Sequence, residues 1–206
     1  MRSERCDADG NLLSLEVEPA TDADRAEALA AGLVLVREVV QLRVALPLST
    51  ATDLPTRPYA GERDDDEVLR VNNRAFDWHP DQSGWTRDHL RARRAEPWFD
   101  ADGFLLHEVD GRVAGFCWTK VHPATEHDPA LGEIFVIGVD PALHGRGLGR
   151  ALVVAGLAHL AAEGLRTGML HVEADNVAAR ALYDDLGFTT QSCHCWWRRP
   201  DAVVDR

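Results

Sequence analysis

The chain has 206 residues, 45% of them hydrophobic, and a formal net charge of −12 at pH 7. That length supports one good core, or one core with a fragment of another, and no apolar run approaches the roughly 18 to 20 residues needed to span a bilayer. The acidic balance argues against nucleic acid or an anionic membrane as partner, since both require a basic face; the opening MRSERCDADGN has no apolar signal core, so the cytoplasm is the expected location.

In chain order, residues 12 to 46 read as strand, helix, strand. The run from Pro47 to Glu62, PLSTATDLPTRPYAGE, has no hydrophobic period and reads as a linker. Helical spacing follows over 65–77 and 86–95, the second with Thr86 as N-cap. Strands at 103–109 and 113–121 are joined by Asp110-Gly111, a hairpin turn signal. A loop with Pro123, His127 and Pro129 leads to a strand at 132–139, then to a glycine-rich turn and a helix to about 163. A strand at 168–173, a helix at 176–186 and an extended run from Phe188 to Arg198 complete the pattern, an α/β class.

The first fifty residues look like a second copy of the last third. With Gly32 set opposite Gly187, a constant offset of 155 brings Val17, Glu18, Ala23, Arg25, Ala26 and Arg43 onto Val172, Glu173, Ala178, Arg180, Ala181 and Arg198. The expected domains are therefore 1–46, the strand-helix-strand tail of an earlier domain whose front half is absent; 47–62, a linker; 63–199, the catalytic domain; and 200–206, a tail.

Four cysteines (Cys6, Cys117, Cys193, Cys195) lack zinc-ligand spacing and are expected to be free thiols, with no metal. The chemistry is concentrated in HGRGLG, residues 144–149. Gly145, Gly147 and Gly149 at a strand-to-helix junction let backbone N–H groups turn toward an anion, which the helix N-terminus favours. No Gly-Lys-Ser/Thr closes it, so it is not a Walker A loop; the dinucleotide fingerprint counted from Gly145 fails at Arg150. A turn that binds nothing would satisfy the same residues.

The stretch His144-Gly145-Arg146-Gly147-Leu148-Gly149 resembles the acetyl-CoA signature of the GCN5-related N-acetyltransferase (GNAT) superfamily, with His144 where Gln or Arg is usual. Asn176 through Leu182-Tyr183 to Gly187-Phe188 resembles that superfamily's next helix block. The blocks VNNRAFDWHPDQSGWT, AEPWFDADGF, GFCWTKVHP and LGEIFVIGVDP resemble the mycothiol synthase family within it, over nearly all of 57–199. The resemblance implies a GNAT fold, a mixed sheet splayed at the acetyl-CoA site with helices on both faces, preceded by a partial second repeat. It implies an acetyl-CoA-dependent acetyltransferase acting on a small-molecule amine, the cysteine amine of cysteinyl-glucosaminyl-inositol. Another amine substrate, and a truncated CoA-binding module without turnover, are the alternatives; a monomer or weak dimer is expected.

Residue by residue, the resemblance implies Glu133 as general base and Tyr183 as general acid, with Ala28 at the equivalent position of the first copy. Ile137, Gly138 and Val139 are implied as backbone donors to the developing oxyanion, freed by a bulge in their strand. His144, Gly145, Arg146, Gly147, Leu148, Gly149 and Arg150 would hold pyrophosphate. Asn176, Val177, Ala178, Ala179, Arg180 and Ala181 would contact the pantetheine end. Asp81, Lys120, Glu133 and His171 are implied as substrate contacts; Asp81 stands where glutamate is common, His171 where tyrosine is, and Lys120 is the chain's one lysine.

Overall fold

A computed structural model describes residues 1–7, 10–78 and 82–200. In chain order the elements are β1 (Arg2–Cys6), β2 (Leu12–Val17), α1 (Asp22–Ala30), β3 (Val34–Ala45), β4 (Arg57–Pro58), α2 (Asp65–Ala75), α3 (Arg87–Arg94), β5 (Phe104–Val109), β6 (Arg112–His122), β7 (Leu131–Val139), α4 (Leu148–Ala162), β8 (Thr167–Glu173), α5 (Val177–Asp185) and β9 (Thr189–Arg198). They form two compact units, Met1–Arg43 with Leu170–Arg206, and Val44–Met169.

In the second unit, β5, β6 and β7 are antiparallel neighbours, and β7 meets β8 in parallel at Gly132–Gly168 and Glu133–Met169, so the sheet is mixed. Asp110 and Gly111 close the β5–β6 hairpin with φ of 51° and 75°, the left-handed pair that a two-residue turn demands. Because strand side chains alternate, β6 presents Phe116 and Trp118 to one face and Gly115, Cys117 and Thr119 to the other. The first face is covered by α2 and α3 through Val68, Val71 and Leu90, all buried. Against the second lies α4, whose Gly156 sits where an added Cβ would be 2.5 Å from Cys117 Sγ. Helices thus cover both faces.

Aromatic stacking orders that core. Phe104 stacks on Trp118 at 4.4 Å and on Tyr59 at 4.7 Å, near-parallel in both cases. Tyr59 belongs to the stretch expected to be a linker. Its ring needs an apolar home, so Arg57 and Pro58 pair with Leu106 and Leu105 and the end of that stretch joins the sheet. A charged clamp ties α2 to β6: Glu67 accepts from Arg112 and Arg70, which hold its carboxyl at about 2, well below the ordinary range.

In the first unit the strand order is β1, β2, β9, β3, β8. β1, for which the sequence carries no expectation, pairs with β2. Segments 155 residues apart adopt the same local structure. Thr21 caps α1 through the Asp24 N–H, and Asn176 caps α5 through the Ala179 N–H. Both helices end in the same Schellman arrangement, Gly32 N–H to Leu29 O with Leu33 N–H to Ala28 O, and Gly187 N–H to Asp184 O with Phe188 N–H to Tyr183 O. β3 and β9 pair antiparallel, and the Val39–His194 pair joins two residues that are themselves 155 apart. A local two-fold therefore passes through that pair. β9 inserts between β2 and β3, and Leu15, Val17, Ala28, Leu33, Cys195 and Trp197 form the core beneath.

Candidate active site

Within the second unit the site is organised by one irregularity of β7. Trp118 pairs with Val136 and Thr119 with Ile134, so Phe135 is an extra residue, a bulge. A bulge was expected in this strand and falls at Phe135; Ile137, Gly138 and Val139, whose N–H groups it was expected to free, pair with Cys117, Phe116 and Gly115 of β6. An extra residue reverses the alternation beyond it. Gly132 and Ile134 face α4, where a Cβ on Gly132 would meet Leu160 and Ile134 approaches Gly156, whereas Val136 and Gly138 face the aromatic core with Phe116. Glu133 and Phe135 consequently share the face that carries Lys120 and His122 of β6.

Glu133 is 7% exposed and lies opposite Lys120 in the β6–β7 register. The Lys120 ammonium sits 4.7 Å from the Trp98 ring centre and 5.5 Å from that of Phe135, a cation–π seat that holds the charge without an exposed tether. Arg93 lies over the other partner ring, 5.6 Å from Phe135. His122 Nε2 is 2.7 Å from Glu133 Oε2. Of these neighbours, Arg93, Trp98, His122 and Phe135 were not anticipated. His122 was within reach of strand periodicity, being two residues from Lys120 and hence on its face; the Trp98 and Arg93 contacts depend on tertiary packing.

β7 leads directly into the glycine turn. The Asp140 carboxylate fastens the junction by accepting from the Ala142 N–H at 3.1 Å and pairing with Arg70 and with Arg74. Burial works against that charge, yet the Ala142 amide and Arg70 hold the carboxyl below its ordinary range. His144 Nε2 donates to the Val139 carbonyl at 3.1 Å, folding the turn back on its strand. Gly145 and Gly147 have φ of 76° and 77°, and a Cβ on either would meet no atom within 4 Å. Gly147 is the left-handed N-cap of α4 and supplies no side-chain cap, so the first-turn N–H groups at Leu148, Gly149 and Arg150 are not taken by it. Arg146 is exposed and Arg150 half-buried. An open, uncapped, glycine-lined helix start is suited to an anion.

The first unit holds the remaining expected residues. Asn176 is the N-cap of α5, Val177, Ala178 and Ala181 are exposed, and Ala179 and Arg180 are half-buried. Tyr183 is buried, its ring 5.6 Å from that of Phe188. His171 is exposed, with Nε2 3.3 Å from Gln41 Nε2. Asp81 lies outside the described residues.

Comparison with known proteins agrees with this arrangement. A model of the acetyltransferase (GNAT) family matches residues 72–188. A mycothiol acetyltransferase of Mycolicibacterium vanbaalenii is 52% identical over 189 residues, covering 84% of this chain and 58% of that protein. One from Segniliparus rotundus is 48% identical, covering 78% and 63%. The chain thus spans about three fifths of the length of these curated relatives. Among solved structures, a GCN5-related N-acetyltransferase from Sphaerobacter thermophilus superposes with a TM-score of 0.70 at 20% identity, over 92% of this chain and 60% of that one. A tandem GNAT protein from the clavulanic acid biosynthesis pathway does so at 0.60 and 16% identity, over 99% and 64%. Both share the fold.

Proposed function

Because the chain belongs to the acetyltransferase (GNAT) family, we propose that it transfers an acetyl group from acetyl-CoA to the cysteine amine of cysteinyl-glucosaminyl-inositol, forming mycothiol. The observation that carries the chemistry is the buried Glu133 carboxylate, opposite Lys120 on the strand that runs into the glycine turn. The acceptor is assigned from the relatives, about half of whose residues over the aligned span are identical to those of this chain.

Acetyl-CoA, when bound, supplies an acetyl group activated as a thioester. The turn fits its pyrophosphate, since the left-handed glycines leave open space where a Cβ would stand and the α4 start offers N–H donors. Residues 144–150 would hold that group, with Arg146 and Arg150 adding charge, and residues 176–181 would contact the pantetheine. Within Ile137, Gly138 and Val139, the backbone N–H groups on the edge of β7 that is not turned to β6 would serve the carbonyl oxygen on which charge develops. Glu133 takes a proton from the substrate ammonium. The freed lone pair forms the C–N bond as the C–S bond breaks, and the Tyr183 hydroxyl gives its proton to the departing sulfur. Lys120, Asp81 and His171 would bind the acceptor's hydroxyls and polar atoms. We also infer that residues 1–46 are the closing portion of a first GNAT-like repeat. The four free thiols favour a reducing compartment, the cytoplasm.

Thiol release tests the reading, with acetyl-CoA and cysteinyl-glucosaminyl-inositol compared against free cysteine, spermidine and an aminoglycoside. Selective turnover of the first is expected. Equal turnover of another amine would move the assignment to a different acceptor; CoA binding without turnover on any amine would favour a non-catalytic module.

A further inference from the structure

Resting on the reading of Glu133 as general base, we propose that His122 is its positioning residue, so that the base is a histidine–carboxylate pair. Three observations bear on this. The His122 ring reaches the Glu133 carboxylate, Nε2 to Oε2, at 2.7 Å, within the range of a charge-assisted hydrogen bond. The side chains differ in exposure, 9% for Glu133 and 33% for His122, so the carboxylate is inside and the imidazole at the edge of the site. Both project from the face that the Phe135 bulge creates, along with Lys120.

An ionised carboxylate accepts only, so the shared hydrogen lies on Nε2 and the imidazole donates. That bond does two things for a buried base. It offsets the cost of taking a charge out of water. It also fixes the carboxyl plane, because one oxygen is tied to a ring itself fixed to the adjoining strand. Lys120 supplies charge on the same face and sits over Trp98 and Phe135. The histidine, through its 2.7 Å hydrogen bond, is placed to orient Glu133.

Steady-state kinetics on the full chain with acetyl-CoA and cysteinyl-glucosaminyl-inositol test this, using His122→Ala, His122→Gln and Glu133→Gln. Loss of the donor in His122→Ala should lower kcat roughly 10- to 100-fold, the range for a hydrogen bond to a charged group, while the KM for acetyl-CoA stays near wild type. His122→Gln, whose amide N–H can reach the same oxygen, should recover most of that loss. Wild-type kcat in His122→Ala alongside an impaired Glu133→Gln would overturn the positioning role and leave the base in place. Equal losses in His122→Ala and His122→Gln would also overturn it, because the donor would not be what matters. Full kcat in Glu133→Gln, or no turnover by the wild type on any of the amines tried, would remove the general base and this inference with it; if another amine is the acceptor, the same three variants are compared on it.

Discussion

At the scale of single residues, the site divides into groups that do chemistry and groups that hold them. Glu133→Gln keeps the volume and removes the basicity, so kcat should fall roughly 10²- to 10⁴-fold with the KM for acetyl-CoA little changed; steady-state kinetics decide. Lys120→Met keeps much of the apolar contact with Trp98 and Phe135 but not the charge, and should raise the KM for the acceptor more than it lowers kcat. Equal KM values in wild type and variant would remove Lys120 from substrate binding. The strands that bear Glu133 and Lys120 were legible in the patterns at 132–139 and 113–121, whereas the roles proposed for the two residues come from the family resemblance. His122 was visible only as the second residue after Lys120, and its meaning appears once the β6–β7 register sets it beside Glu133. Nothing in the sequence links Trp98 or Arg93 to Lys120 or Phe135, since those contacts join a loop and a helix to strands far along the chain.

At the scale of elements, hydrophobic period and capping residues located most helices and strands to within about two residues, as expected where a burial pattern and a cap agree. Thr86, Asp110-Gly111, Gly147 and Gly187 each punctuate the chain where their chemistry requires. A bulge was expected in β7, but its residue depends on pairing: β7 must keep Ile134 toward α4 and Val136 toward the aromatic core, and the extra residue Phe135 satisfies both. β4 was missed because two residues carry no period. Tight packing of α4 on the sheet gives a direct test. In Gly156→Ala the added Cβ would sit 2.5 Å from Cys117 Sγ and 2.9 Å from Ile134 Cδ1, and overpacking of this kind costs about 1–3 kcal/mol, readable from urea unfolding. The Glu67 clamp sets an acid limit. Its carboxyl is depressed to about 2, so its contribution is fully present above the ordinary glutamate range and is lost as pH falls through about 2. Glu67→Gln should therefore be less stable than wild type at pH 7, with the gap closing toward pH 2. A gap independent of pH would mean that the pairing with Arg70 and Arg112 contributes nothing.

At the scale of the whole molecule, the strand order of the first unit was not legible. A constant offset between two segments shows likeness, not where each one goes, and only the pairing shows that β9 lies between β2 and β3 and meets β3 about the Val39–His194 pair. Removal of residues 1–46 should thus be far more damaging than loss of an appendage, because β9 would lose both neighbours and expose two edges of unpaired backbone N–H and C=O groups. Such a chain should aggregate on expression, seen by size-exclusion chromatography; a soluble, cooperatively melting product would show that β9 needs neither partner.

The position of β9 also sets an order of events during synthesis. β2 and β3 are translated more than 140 residues ahead of residues 189–198, which fill the space between them. Contacts of such separation in sequence are slow to form, so this unit must wait, with β2 and β3 unjoined, until residues 189–198 have been made. A nascent chain exposed only as far as residue 188 would be able to assemble the glycine turn and α4 but not the sheet that β9 completes.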